Sequence, residues 1–179
     1  GEPALKFVHE QEGQLAKAAE ILRAAPERLA AATQQLFDQW KSAKKEVDRL
    51  RERLARLRLE ELRAKAEQIG RVRVVREKFE AESVDELIKI AGALTRDDAN
   101  MVVAAATLAE YPLEIVVMAG EEAVKAGINC GEIAAEAARV LGGGGGGKPE
   151  MGQGGGSKLD QLNAALDVVV DLCKRQQIG

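Results

Sequence analysis

Apolar residues in the first half of the chain recur at the spacing of α-helices. One apolar stripe over residues 4–24 predicts a first helix. Pro26 interrupts that pattern and suits the first turn of a second helix. From there apolar positions alternate spacings of four and three, a heptad seam that predicts one long helix over residues 26–69. The seam comprises Leu29, Thr33, Leu36, Trp40, Ala43, Val47, Leu50, Leu54 and Leu57.

The long helix is expected to need a partner for its apolar seam. The first helix can cover part of that seam, and a second copy of the chain can cover the rest. Residues 1–69 are therefore predicted to form a coiled-coil-like helical hairpin that makes a homodimer. The pattern leaves open whether the hairpin packs within one chain or swaps between two. The predicted dimerisation residues are Leu36, Trp40, Val47, Leu50, Leu54 and Leu57.

The pattern changes after Gly70 and predicts a small α/β unit over residues 70–179. Alternating or continuous apolar runs over residues 71–79, 101–108 and 114–118 predict strands in a sheet of three or four. Ser83 with Glu86, and Asn129 with Glu132, have the spacing of helix N-terminal caps. A final amphipathic helix follows residue 157. The predicted fold class is α+β or α/β, a long helical hairpin followed by this globular unit.

Between the last two helices lies GGGGGGKPEMGQGGG, residues 142–156, which holds ten of the chain's 18 glycines. Such density is typical of a flexible tether, and a disordered surface loop is one interpretation. The charged, rigid and apolar residues that interrupt the glycines favour an ordered loop instead. Its bare backbone N–H groups, with the N-terminus of the last helix at Gly156-Ser157, would suit an anion.

The glycine segment does not satisfy the known nucleotide-binding motifs. Gly142, Gly147 and Lys148 have the spacing of a P-loop, but Pro149 stands where a Ser or Thr must hold magnesium. A P-loop also follows a strand, whereas residues 133–141 have helical periodicity. We therefore reject nucleotide hydrolysis.

Charge is distributed unevenly along the chain. Residues 41–78 carry 14 Lys+Arg and 7 Asp+Glu, whereas the whole chain has a net charge of −3. This basic segment can track a polyanion, or its side chains can pair with Glu46, Glu60 or a partner chain. The basic residues beside the seam and at the first predicted strand are Lys44, Arg49, Arg51, Arg56, Arg58, Arg71 and Arg73.

Other signals narrow the class of protein. No apolar run is long enough to predict a membrane span. Cys130 and Cys173 are expected to be free thiols in a reducing cytoplasm, and His9 has no companion at metal-ligand spacing. No nucleophile–base arrangement can be assembled. We expect no metal, no catalytic site, no DNA partner and no cofactor in this chain.

The glycine run, preceded by GEIAAEAARVLG and followed by an amphipathic helix, resembles the DHHA1-type domain. That domain ends alanyl-tRNA synthetases and also occurs in DHH phosphoesterases. The opening GEPALKFVHEQE resembles the exit from the synthetase editing domain, and a leucine-rich helical segment follows it, as in the synthetase. This order of segments favours a synthetase of archaeal type. The chain is expected to be its C-terminal piece. The parent's ATP, magnesium and zinc sites match nothing here.

The resemblance implies a module that dimerises and binds the outer corner of tRNA(Ala), in support of aminoacylation and editing. Lys148 is the expected phosphate contact and Gln153 a polar contact to ribose or base. The alternatives are the substrate-binding part of a DHH phosphoesterase and a purely structural coiled-coil dimeriser. Besides the seven basic residues above, the expected tRNA-binding residues are Gly142, Gly143, Gly144, Gly145, Gly146, Gly147, Lys148, Gln153, Gly154, Gly155 and Gly156.

Overall fold

A computed structural model describes residues 1–177 of the chain. It divides into two compact units, Gly1–Ala55 and Arg56–Gly179. Each unit is described on its own below.

The first unit is helical. Helix α1 spans Glu2–Ile21 and a short 3-10 helix spans Pro26–Arg28, with Pro26 in its first turn as expected. Helix α2 then runs over Leu29–Ala64 and passes the boundary between the units. The first helix ends earlier than the predicted residue 24, and Arg23 turns the chain with a positive φ of 49°.

The long helix ends at Ala64, so the predicted extension to residue 69 is wrong. Strand β1, Glu67–Ile69, takes its place and pairs antiparallel with β2, Val72–Phe79. Gly70, between the two strands, has φ +60°, a conformation that glycine adopts without steric cost. The change of apolar register after Leu57 therefore marks the approach to the sheet, and Leu62 is buried in its core.

The second unit is a mixed six-stranded sheet with the strand order β1-β2-β3-β4-β6-β5. Strand β2 lies parallel to β3, and the other neighbours are antiparallel. The remaining elements are α3 (Val84–Asp97), β3 (Met101–Thr107), β4 (Leu113–Ala119), α4 (Glu121–Lys125), α5 (Cys130–Val140), β5 (Gly144–Lys148), β6 (Met151–Gly156), a 3-10 helix (Leu159–Gln161) and α6 (Leu162–Gln176).

Helices cover both faces of the sheet. On one face α5 and α6 pack on side chains such as Ile115 and Val117 of β4. On the other face α3 and the end of α2 pack on residues such as Val116. All seven residues of β3 are buried, which explains why that strand reads as a continuous apolar run.

The predicted helix caps are confirmed. Ser83 and Glu86 form a reciprocal capping box at α3, and the side chain of Asn129 accepts from the backbone N–H of Glu132 at α5. The α+β class, with its long helix and globular unit, is confirmed as well. The sheet has six strands rather than three or four, because β1 and the two glycine-rich strands were not predicted.

Candidate functional site

The glycine-rich segment is a β-hairpin, not the predicted loop. Strands β5 and β6 pair antiparallel, with Pro149-Glu150 at the turn and β6 hydrogen-bonded to β4 on its other side. Most of the backbone N–H groups expected to be bare are therefore used in the sheet. Within the hairpin, the outer edge of β5 has no neighbouring strand among the described residues, which leaves alternate backbone groups free there.

Glycines on one face of the hairpin allow α5 to approach the sheet closely. A β-carbon on Gly154 would lie 2.7 Å from the Ala138 methyl carbon and 3.0 Å from the Ala134 carbonyl oxygen. Backbone hydrogen bonds hold the two elements together, for example from the Cys130 N–H to the Pro149 carbonyl oxygen at 3.0 Å. Helix packing therefore explains why glycine occupies these positions.

The opposite face of the hairpin is open at Gly144 and Gly146, and packing does not explain glycine at these two positions. A β-carbon on Gly144 or Gly146 would have no atom of the described chain within 4 Å. Neither residue has a positive φ. Glycine in a strand costs conformational entropy and offers no side chain to pack. These two positions expose flat backbone, which suits a ligand that approaches the main chain closely.

The strand register defines what surrounds this open face. Gly155 lies between Glu114 and Gly144 in neighbouring strands, and Gln153 lies between Val116 and Gly146. We call the surface formed by the outward sides of Gly144, Gly146, Gln153 and Gly155, with Glu114 and Lys148 at its ends, the hairpin face. Gln153 is exposed on it, as a polar contact requires.

The two ends of the hairpin face differ in charge. Glu114 is half-buried, and burial together with the neighbouring Glu110 raises the pKa of its carboxyl group. Lys148 is exposed at the other end and forms no ion pair with any residue in the described range. An anionic group is therefore favoured at the Lys148 end and repelled from the Glu114 end.

The predicted basic residues of the first unit lie on the exposed surface of α2. Lys44 lies over the ring of Trp40, with its ammonium nitrogen 5.3 Å from the ring centroid. Arg49 forms a 2.6 Å ion pair with Glu46, as the alternative interpretation expected, and the hydrogen bond to Arg49 lowers the pKa of Glu46. Arg51 approaches Asp48 more loosely, at 4.0 Å. Such exposed pairs exchange readily with other anions.

The basic residues of the second unit differ in what they contact. Arg58 stacks on the Phe79 ring at 5.2 Å, and Arg73 forms a 2.8 Å ion pair with Asp98. Arg56 and Arg71 have no ion pair within residues 1–177. The structure does not bring these residues to the hairpin face, since Arg71 and Arg73 lie at the start of β2, three strand positions from β6.

The predicted dimerisation residues form an exposed apolar stripe along α2. The least exposed, Val47 and Leu50, each have a relative exposure of 44%, and Leu54 reaches 66%. In the first unit Ala19 is the one buried residue among those described. The helices of this unit therefore do not bury the seam themselves. The full exposed set is Leu36, Trp40, Val47, Leu50, Leu54 and Leu57.

Sequence reasoning missed Glu114 and the outward side of β4. The strand predicted over residues 114–118 began at Glu114, which the structure places between the buried residues Leu113 and Ile115. The pairing of β4 with β6 could not be predicted, because the glycine segment carries no apolar signal for a strand.

None of the helices in the described range is both long and apolar enough to cross a membrane.

Comparison with known proteins identifies the family. The model of the DHHA1 domain matches residues 72–175, so the chain belongs to the DHHA1 domain family. Over nearly its whole length it is also similar to alanine–tRNA ligases. The ligase of Methanococcoides burtonii is 36% identical over 176 residues, and that of Acetivibrio thermocellus 34% identical over 179 residues. The chain spans about a fifth of these relatives, 19% and 20% of their lengths.

Solved structures agree with this assignment. The C-Ala domain of Aquifex aeolicus alanyl-tRNA synthetase matches with a TM-score of 0.57 and 27% identity, covering 62% of this chain and 98% of that domain. The chain is thus homologous to the C-terminal domain of alanyl-tRNA synthetases. RecJ of Thermus thermophilus shares the fold over 84% of this chain and 21% of its own, with a TM-score of 0.52 at 14% identity.

Proposed function

We propose that this chain is the tRNA-binding and dimerisation module of an alanine–tRNA ligase. It holds the outer corner of tRNA(Ala) and joins two protomers, so that aminoacylation and editing act on one bound tRNA. In this role it binds RNA and performs no chemistry itself. Its similarity to the ligases over nearly the full chain favours this role over that of a phosphoesterase substrate domain.

The observation that carries the tRNA-binding role is the pair of glycines on the hairpin face. Gly144 and Gly146 leave their side of the sheet open although the chain itself does not require glycine there. RNA is recognised largely through its shape, its sugar-phosphate backbone and its exposed bases. A strand whose outward positions are glycines lets the RNA approach the protein main chain closely, because no side chain lies between them. Lys148 at one end supplies a cation for a phosphate.

The exposed seam of α2 supports the dimerisation role. Six apolar side chains along one stripe of a helix cost free energy when left in water, and a second copy of the same stripe can bury them. A homodimer also doubles the RNA-binding surface of the assembly. The basic residues beside the seam then stand outside the interface and remain available to RNA.

The two buried thiols fit a cytoplasmic location. Cys130 and Cys173 are both free and fully buried, as in proteins that fold in a reducing compartment. The proposed partners are tRNA(Ala) and a second copy of the chain.

The test is a titration of labelled tRNA(Ala) with the purified chain at several salt concentrations. We expect binding at low salt that weakens as salt rises, because phosphate contacts release counterions. Replacement of Lys148 by Ala is expected to lower the magnitude of the salt slope by about one. A chain that fails to bind tRNA(Ala) at any salt concentration is not this module.

A further inference from the structure

One row of residues crosses the sheet at the cationic end of the hairpin face. The register places Met118 of β4 opposite Met151 of β6, and Met151 opposite Lys148 of β5. Strands in a sheet are about 4.8 Å apart, so Lys148 and Met118 are separated by roughly 10 Å at their backbones. Both methionines are partly buried. We call the side chains of Met118 and Met151 the methionine floor, and Lys148 lies at one end of it.

Helix α3 borders this floor on the side away from Lys148. A β-carbon on Gly92 would lie 3.8 Å from the terminal carbon of Met118 and 3.5 Å from Nη1 of Arg96. These two distances start from the same point, so Nη1 of Arg96 and the terminal carbon of Met118 lie within about 7 Å of each other. Gly92 and Arg96 are four residues apart and share one side of the helix. The side of α3 that faces β4 thus ends in an arginine.

Arg96 is exposed at the end of α3. The two acidic residues that follow it pair with other arginines: Asp97 with Arg63 at 2.6 Å, and Asp98 with Arg73 at 2.8 Å. No ion pair or side-chain hydrogen bond of Arg96 occurs within the described part of the chain. Arg96 and Lys148 are thus two available cations on either side of the methionine floor.

We propose that Arg96 and Lys148 form a two-cation site for the phosphodiester backbone of RNA. This inference rests on the proposed tRNA-binding function and adds to it a residue of α3. Arg96 presents a planar fork to a phosphate, and Lys148 acts as a mobile point charge on the other side. The thioethers of Met118 and Met151 pack against the ribose between them. Glu114, at the far end of the hairpin face, repels phosphates and so fixes the direction of the bound strand.

The experiment measures the affinity of the full chain for tRNA(Ala) across a salt series. The variants are Arg96→Ala, Lys148→Ala and the double variant. Arg139→Ala is the matched control, because Arg139 is an exposed arginine on α5, on the opposite face of the sheet, where it pairs with Glu136 at 2.7 Å. Arg96→Gln keeps most of the side-chain stem. Thermal unfolding of every variant verifies that it is folded.

We expect each single substitution to weaken binding about three- to tenfold at low salt and to lower the salt slope by about one. The double variant is expected to lose about two units of slope, and Arg139→Ala to match the unmodified chain. Arg96→Gln should behave as Arg96→Ala does, because the charge is what binds.

Two negative results distinguish a failure of the two-cation site from a failure of the proposed function. If the unmodified chain binds tRNA(Ala) and both Arg96 variants bind as Arg139→Ala does, the two-cation site is overturned while the proposed function stands. If the unmodified chain fails to bind tRNA(Ala) at low salt, the proposed function is overturned and this site with it.

Discussion

Gly154 packs so tightly against Ala138 that a methyl group on the glycine would stand 2.7 Å from the methyl carbon of the alanine. This contact fixes the distance between α5 and the hairpin. The segment therefore contains two kinds of glycine. Some, such as Gly154, allow the close approach of α5, and others, such as Gly146, face open space.

Gly154→Ala should therefore destabilise the chain, by about 1–3 kcal/mol as is typical of overpacked cores. The helix must move away from the sheet to admit the methyl group. Chemical denaturation followed by circular dichroism measures the change. Gly146→Ala is the control, because its methyl group meets no atom and should leave the free energy of unfolding unchanged or raise it by about 0.4–1 kcal/mol. Equal effects at both positions would contradict the packing argument.

Leu50→Asp combined with Leu54→Asp should yield monomers. In a dimer the two carboxylates would be buried in the seam without cationic partners, which costs free energy. The loss of two leucine side chains from the seam weakens the dimer further. Light scattering after size exclusion should report the mass of one chain, 19.2 kDa, for the double variant and twice that mass for the unmodified chain. Glu52→Lys changes a charge on the opposite side of α2 and should remain dimeric. A double variant that still dimerised would move the interface away from the seam.

Glu114→Gln should tighten tRNA(Ala) binding by about two- to threefold, on the scale of one partly screened charge, because it removes a carboxylate from the hairpin face. The raised pKa of Glu114 gives this effect a pH dependence. As pH falls from about 7 towards the range near 4 in which ordinary carboxyl groups titrate, Glu114 protonates before they do and loses its repulsion. The advantage of the variant should then shrink. An advantage that is constant across this range would contradict the assignment.

The two thiols should resist modification in the folded chain. Burial raises the pKa of Cys130 and of Cys173 to about 12, so almost no reactive thiolate exists near pH 8. A thiol reagent should label both cysteines at the rate of unfolding and quickly in denaturant. Labelling of the native chain as fast as a free peptide thiol would show that the α5–α6 layer opens readily.

The helices and the central strands were predictable because their signals are local. The capping residues Ser83 and Asn129 mark helix starts by their own chemistry, and the apolar run of β3 reflects burial on both faces. The DHHA1 assignment was likewise carried by the glycine run itself. For these elements the pattern of the sequence and the final fold agree.

The hairpin was not predictable from periodicity, because glycine has no side chain to show which way a residue faces. A strand of glycines is indistinguishable from a loop until its neighbours are known, here β4 on one side and α5 above. For the same reason the positions of Glu114 and Arg96 relative to Lys148 could not be predicted. They depend on the order of strands and on the packing of α3, which are properties of the whole fold.

The affinity of Gly146→Val for tRNA(Ala) at low salt tests the central claim most directly. Valine suits a strand, and a β-carbon at this position has no atom of the described chain within 4 Å, so the fold should be preserved. Its side chain would nevertheless cover the bare backbone of the hairpin face. We predict at least a tenfold loss of affinity with unchanged thermal stability. Undiminished binding by the folded variant would show that RNA does not use this face.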